Sequence, residues 1–475
     1  MDQPIAGALP ATRSYRDLPG PRPLPLIGNL HQVDKVAFHR SLEDGVAAWG
    51  PMYRFAFGRT PALVIADAAL MPALMRDRPD ALRRSSRLSR MLDGANGSSG
   101  LFTAEGEAWR AQRKLVTRAL TPEVIRKFQP TLHTLVLRLE RRWRRAAEQG
   151  AEIDLARDLK ALTLDVTVAL AMGEDVNTLE HPENPLQRDI HFLFERVGAR
   201  LRSMVDYWTV FKLPVDRAAD AATARVRAKM LALIAHARAE LQADPALRVR
   251  PVNLLQAMLV ARDAPDSGVD DEAVLGNALT MVFAGEDTTS STLAWLLVLL
   301  AQHPEVAQAL AAECDAVLGD APAVSDAALL EQLHYTEAVI HETLRLKPAA
   351  PVQAVETPVE REVGGVRVPA GTRVFMLTRL AALDPARFDA PLDFRPERWA
   401  GHTDPASEPN RKMLPFGGGP RFCPGRYLAL VEAKLVASMI ARNFRLEPLP
   451  GLDAVREVFT FTMNPSAVPV RLRPR

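Results

Sequence analysis

Cysteine is nearly absent: Cys314 and Cys423 are the only two in 475 residues. That excludes a disulfide framework and a multi-cysteine zinc site, and it suits a reducing compartment. A dominant charge is missing as well. The 59 Lys+Arg against 57 Asp+Glu leave a net +2, too close to neutral for a chain built to bind nucleic acid. Long apolar runs are also lacking. The longest, Leu293 to Ala301, falls well short of the roughly 20 residues that a membrane-spanning helix needs. The N-terminus, interrupted by Pro4 and Pro10, offers no apolar stretch for a signal core. A cytoplasmic chain without a membrane span is the expectation, and the abundance of Ala and Arg hints at a bacterial source.

What is present is ample core material: 48% hydrophobic and 24% charged residues, the balance of an ordinary folded protein. Length alone would suggest two or three average domains. No linker, internal repeat or low-complexity tail divides the chain, so one large domain over residues 31–475 is the simpler reading. Ahead of it, residues 1–30 hold six prolines, among them Pro19, Pro21, Pro23 and Pro25. Such a segment lacks amide donors and should run extended along a surface, here without a membrane anchor. Alternating apolar residues from Met52 to Asp67 predict two strands joined by a tight turn. Helical spacing follows over Trp109–Leu120, Pro122–Gln149, Leu155–Met172, Ala218–Leu241 and Asp271–Gln302. After Pro348, β-branched residues around Gly364-Gly365 and Pro369-Ala370-Gly371 predict strands and turns. A Pro-rich, structureless stretch from Asp384 to Pro424 is expected next, leading into a helix from Gly425 to about Asn443. The fold class expected is mainly α with small β-sheets.

The most informative segment is Phe416-Gly417-Gly418-Gly419-Pro420-Arg421-Phe422-Cys423-Pro424-Gly425. It places a cysteine at the mouth of a helix, behind a glycine run and beside an arginine. A helix N-terminus and a nearby cation both favour a thiolate, and the glycines let backbone approach a sulfur or a flat cofactor. A buried free cysteine in a glycine-rich loop is the plain alternative. The pattern Phe416, Gly419, Arg421, Cys423, Gly425 resembles the haem-binding signature F-x-x-G-x-R-x-C-x-G of the cytochrome P450 family. The resemblance implies the fold of that family, with haem b as cofactor and Cys423 as the thiolate ligand of its iron. It implies an Arg421 contact to a propionate, with Phe416, Gly417 and Gly425 shaping the loop.

Three further motifs lie in the family's order. Ala284-Gly285-Glu286-Asp287-Thr288-Thr289, within the long Asp271–Gln302 helix, could by spacing be either a helix break or a buried polar site. It looks like the family's oxygen-activation motif. On that likeness Ala284 and Gly285 leave room above the haem, while Asp287 and Thr288 deliver protons, with Thr288 bonding a carbonyl one turn back and opening the helix locally. Glu342 and Arg345 alone are an ordinary i,i+3 pair. Together with Arg398 they resemble the E-x-x-R cluster, a buried charge group that fixes the loop behind the haem. Trp109 and Arg113 fall on one helix face and look like the W-x-x-x-R that reaches the propionates. One position departs from the pattern: Val355-Glu356 stands where many relatives carry a propionate-binding arginine, which leaves more to Arg113 and Arg421.

The resemblance further implies substrate contacts from residues 88–103, 193–213, 280–284, 351–355 and 461–463, segments that are mainly apolar and suit a lipophilic small molecule. Arg196, Arg200 and Arg202 there read as a solvated helix face. No G-x-G-x-x-G in a βαβ setting is present, so electrons are expected from outside, from a ferredoxin and its reductase. The first basic cluster, around Arg110, Arg113, Lys114 and Arg118, is the expected dock. The function implied is a monooxygenase that uses O2 to hydroxylate or epoxidise its substrate. Its rivals are a peroxide-driven peroxygenase, which would not need Asp287 and Thr288, and a non-catalytic haem sensor.

Overall fold

A computed structural model describes residues 13–96, 99–203, 206–402, 407, 411–459 and 461–475. Helices dominate, and the longest, Asp271–Gln302, runs through the centre. Asp270 caps its start by accepting from Ala273 N at 2.8 Å, the favoured use of Asp at a helix N-terminus. Its apolar residues face all directions, and Leu293 to Ala301 are buried without exception. A helix apolar on every side must be enclosed by others. The neighbouring Leu155–Met172 helix is likewise almost wholly buried, and the two are packed along one another. Among the described residues no single helix is long and apolar enough to cross a membrane.

The predicted strand pair is present as Met52–Phe57 and Thr60–Ile65, antiparallel and in register from Met52↔Ile65 to Phe57↔Thr60. Arg373–Met376 then adds in parallel to Thr60–Ile65, and Gln353–Glu356 adds antiparallel to Arg373–Met376. This four-stranded sheet joins residues from both ends of the chain. A smaller sheet takes up Arg13–Ser14 beside Val366–Val368 and Arg361–Val363, the hairpin at Gly364-Gly365. The Pro-rich segment is strapped to the larger sheet: Pro19 O accepts from Arg54 N at 2.9 Å, and Gly28 bridges Phe57. Pro4 and Pro10 lie outside the described residues.

One helix prediction needs division. Pro122–Gln149 is two helices, Pro122–Lys127 and Gln129–Glu148, because Pro130 has no amide with which to continue the first. The Pro-rich stretch before Cys423 is also less bare than expected, with short 3-10 turns at Pro396–Trp399 and Gly419–Arg421.

Candidate active site

A cavity of about 1370 Å³ opens between the central helix and the Cys423 loop. Trp109, Arg113, Ala284, Gly285, Thr288, Phe416, Gly417, Arg421, Cys423 and Gly425 all line it, although they come from segments more than 300 residues apart. Asp287 does not reach its wall.

Backbone geometry sets the Cys423 loop. Cys423 N donates to Phe416 O at 2.9 Å, closing the turn. Gly419 has φ +64°, and a Cβ there would stand 2.2 Å from Met75 O, so only glycine lets the loop lie against that carbonyl. Burial pushes the Cys423 thiol above its ordinary pKa, against the pull of the Gly425 and Arg426 amides and of the Arg113 and Arg426 guanidinium groups. Desolvation therefore outweighs the helix end and the nearby cations. Arg421 is not the cation that acts on the sulfur. Its guanidinium turns to Ala104 O at 2.8 Å and to Glu105, with its carbon 4.7 Å from the Trp109 ring centroid. Arg113 instead donates to Phe422 O at 2.9 Å and lies over the Phe422 ring. Cys314, by contrast, is buried with its thiol pushed up to about 12, far from reactive.

On the central helix, Thr288 Oγ1 donates to Ala284 O at 2.6 Å. That bond is the one expected, but the helix continues unbroken through it. Gly285 differs from expectation. A Cβ there would come 2.2 Å from Thr167 Cγ2, so its missing side chain admits the Leu155–Met172 helix as well as bordering the cavity. The Asp287 carboxylate accepts from the Thr462 hydroxyl and stands 3.7 Å from Lys160 Nζ. Ser291 and Trp295 both donate to Met463 O, at 2.7 and 2.8 Å, and this pins Thr462 beside Asp287. Thr462 does line the cavity. Lys160 and Thr462 carried no motif that could have marked them for this role; only the packing of two helices and a hairpin puts them there.

Behind the cavity, Arg345 grips Glu342 with two bonds of 2.8 Å, both side chains fully buried. Arg398 Nε and Trp399 Nε1 also donate to Glu342, at 3.2 and 2.9 Å. Arg345 spends its other nitrogens on the carbonyls of Ala382, Pro391 and Asp393, so the pair ties the incoming loop to its helix.

All five expected substrate segments supply wall residues, among them Leu88, Phe102, Phe194, Phe283, Val352 and Phe461. Unforeseen walls come from Leu26 to Phe38 and from Phe57 and Phe375, which sheet pairing brings in. Arg196 and Arg200 are not a solvated face: both donate to the fully buried Asp216 at 3.0 Å. The side chain of Arg202 lies outside the described residues.

The residues present fit the haem implied by the sequence. Cys423 is the one cysteine among the lining residues, the other walls are largely apolar, and Arg421 Nε is buried there without a partner, as a site for a flat anionic group requires. Comparison with known proteins agrees. The family model described as Cytochrome P450 matches residues 18–470. Human 25-hydroxyvitamin D-1 alpha hydroxylase, mitochondrial, is 30% identical over 94% of this chain and 90% of its own length. Cyclooctat-9-en-7-ol 5-monooxygenase of Streptomyces melanosporofaciens is 33% identical over 74% of each chain. Cytochrome P450 3A29 of Sus scrofa is 28% identical over 96% of this chain and 90% of its own.

Proposed function

The chain belongs to the cytochrome P450 family and is a haem-thiolate monooxygenase, and from that premise we propose which residues perform the reaction. The observation that carries the assignment is that Cys423 and Thr288, from segments far apart in the chain, line one large cavity with mainly apolar walls. Cys423 is the metal ligand, and Trp109, Arg113, Ala284, Gly285, Phe416, Gly417, Arg421 and Gly425 enclose the cofactor. Haem, when bound, supplies the iron that activates O2 with externally delivered electrons. One oxygen atom enters the substrate and the other leaves as water, so protons must reach the site.

Asp287 and Thr288 are the residues we assign to that supply. Lys160 stands at the surface end, its side chain 37% exposed against 13% for Asp287. A proton passes from this side to the Asp287 carboxylate and on to the hydroxyl of Thr462, which borders the cavity as Thr288 does. Carboxylate and hydroxyl groups suit such transfer. The apolar wall excludes bulk water, so the relay is the controlled route. Replacing Asp287 by Asn should lower turnover by about a hundredfold, the usual scale for a lost proton-transfer group, with a raised solvent isotope effect. Unchanged turnover in D287N would remove Asp287 from the mechanism.

The substrate is a lipophilic small molecule, supported by the aromatic and aliphatic lining. The electron donor is a ferredoxin, which docks on the cationic Gly106–Ala119 helix beside Phe422. Arg110 and Lys114 there are ion-paired to Asp80 and Glu107 and to Asp266, yet each keeps 43% of its side chain exposed. Charge reversal at Arg110 or Lys114 should slow reduction at low salt; unchanged rates would exclude this face. We also place the haem domain at residues 31–475, with residues 13–30 of the Pro-rich segment laid on it, and the protein in the cytoplasm, which cell fractionation tests. The assignment as a whole is checked by the reduced carbon monoxide complex. The wild type should give the red-shifted Soret band of thiolate ligation, and Cys423→Ser should lose it.

A further inference from the structure

Two arginines that belong to none of the motifs flank the cavity beside Arg421. Arg78 is 5% exposed, lines the cavity, and leaves Nε and Nη2 without a hydrogen-bond partner. Arg84 lines it too. Its Nε donates to Phe102 O at 2.7 Å, and its guanidinium carbon lies 3.5 Å from the Phe102 ring centroid. Glu105 is the carboxylate whose charge acts on Arg78 and Arg84; one oxygen pairs with the Arg421 guanidinium and the other accepts from the Arg84 backbone amide at 2.7 Å. The group thus holds two more positive charges than negative ones. Burial, together with repulsion from one another, pulls Arg78 down to about 10 and Arg84 well below its ordinary range. Desolvated like charges of this kind are costly unless an anion completes the site.

The position at which this chain departs from its relatives explains how Arg84 arrives there. Glu356 ends the strand Gln353–Glu356 and is buried. Its carboxylate accepts from Arg83 Nε at 2.9 Å and from Ser86 N at 3.1 Å. The backbones of Glu356 and Arg83 also exchange both ladder bonds, at 3.1 and 2.8 Å. Residue 83 is thereby added to the sheet edge. Because successive side chains on a strand point to opposite faces, Arg83 turns to Glu356 and Arg84 turns to the cavity.

We propose that Arg78 and Arg84 join Arg421 in a cradle for the two haem propionates, and that Glu356 holds this cradle in place by clamping residues 83–86 to the sheet. A carboxylate at this position replaces a direct cationic contact by positioning another. The proposal rests on the haem-thiolate assignment, and its test is separable from it.

Holoenzymes of the wild type, R78M, R84M, the double variant and E356Q are mixed with excess apomyoglobin, and the rate of haem loss is followed. Each single arginine variant should lose haem roughly tenfold faster, the scale of one charge-assisted bond. The double variant should be faster still, and E356Q should show a smaller increase. The same proteins loaded with haem dimethyl ester give the deciding comparison. Wild type should release the ester much faster than the acid, whereas the double variant, left with Arg421 alone of the three, should keep only a small part of that preference. A double variant that keeps the wild-type preference for the acid overturns the proposal, since a merely structural role would speed both losses equally. R78K and R84K, which keep the charge, carry the test if the methionine variants do not fold, and should retain most of the preference. Wild type without the thiolate-type carbon monoxide spectrum would overturn the haem assignment; wild type with it, and unaltered variants, would overturn only the cradle.

Discussion

Glu286 sits next to Asp287 and is the more deeply buried of the two. Its carboxyl is 4% exposed, Oε2 has no partner, and burial plus the neighbouring Asp287 push it up to about 8. Burial therefore favours the neutral form of the Glu286 carboxyl. The folded chain holds a proton on Glu286 that the unfolded chain releases above the ordinary carboxyl range. Stability must then fall as pH rises from about 4.5 to about 8 and level off beyond, contributing a few kcal/mol across that window. Denaturant unfolding against pH should show this slope, and Glu286→Gln should flatten it. The motif singles out Asp287 but says nothing of the burial of Glu286, which only the packing of the helix sets.

At the scale of elements, the contact between the central helix and Leu155–Met172 depends on Gly285. Thr167 cannot swing aside, because its Oγ1 is held by Thr163 O at 2.8 Å and Leu164 O at 3.0 Å. Gly285→Ala should consequently cost roughly 1–3 kcal/mol, the usual penalty of overpacking. Adding Thr167→Ser, which removes the Cγ2 methyl and keeps the hydroxyl, should restore most of the loss. A double-mutant cycle by thermal unfolding checks it; additive effects would contradict the close approach. The helices themselves were legible from apolar spacing, as the Leu155–Met172 bounds illustrate. The break at Pro130 and the face to which Gly285 turns were not, since periodicity says which residues are buried but not against what.

Over the whole molecule, distant segments are joined by buried charge. Glu457 lies between the hairpin that carries Thr462 and the Phe38–Trp49 helix, accepting from His39 at 2.8 Å, Arg40 at 2.6 Å and Lys347 at 2.6 Å, with Arg379 at 3.4 Å. These partners hold its carboxyl far below the ordinary range, so its stabilisation is present above that range and is lost as pH falls below it. Glu457→Ala should strand buried cations and cost about 3–5 kcal/mol, seen as a lower denaturation midpoint. The sequence by itself determined the mainly helical class, the motif around Cys423, the Glu342–Arg345 pair and the approximate walls of the pocket, because each is written in local spacing or in a contiguous motif. Only the tertiary structure decided that Arg113 rather than Arg421 acts on the Cys423 sulfur, that Lys160 and Thr462 hold Asp287, and that Arg78 and Arg84 meet Arg421. Those pairings join residues far apart in the chain, and what places them is burial: a charge or hydroxyl taken out of water must find its partner wherever the packed elements leave one.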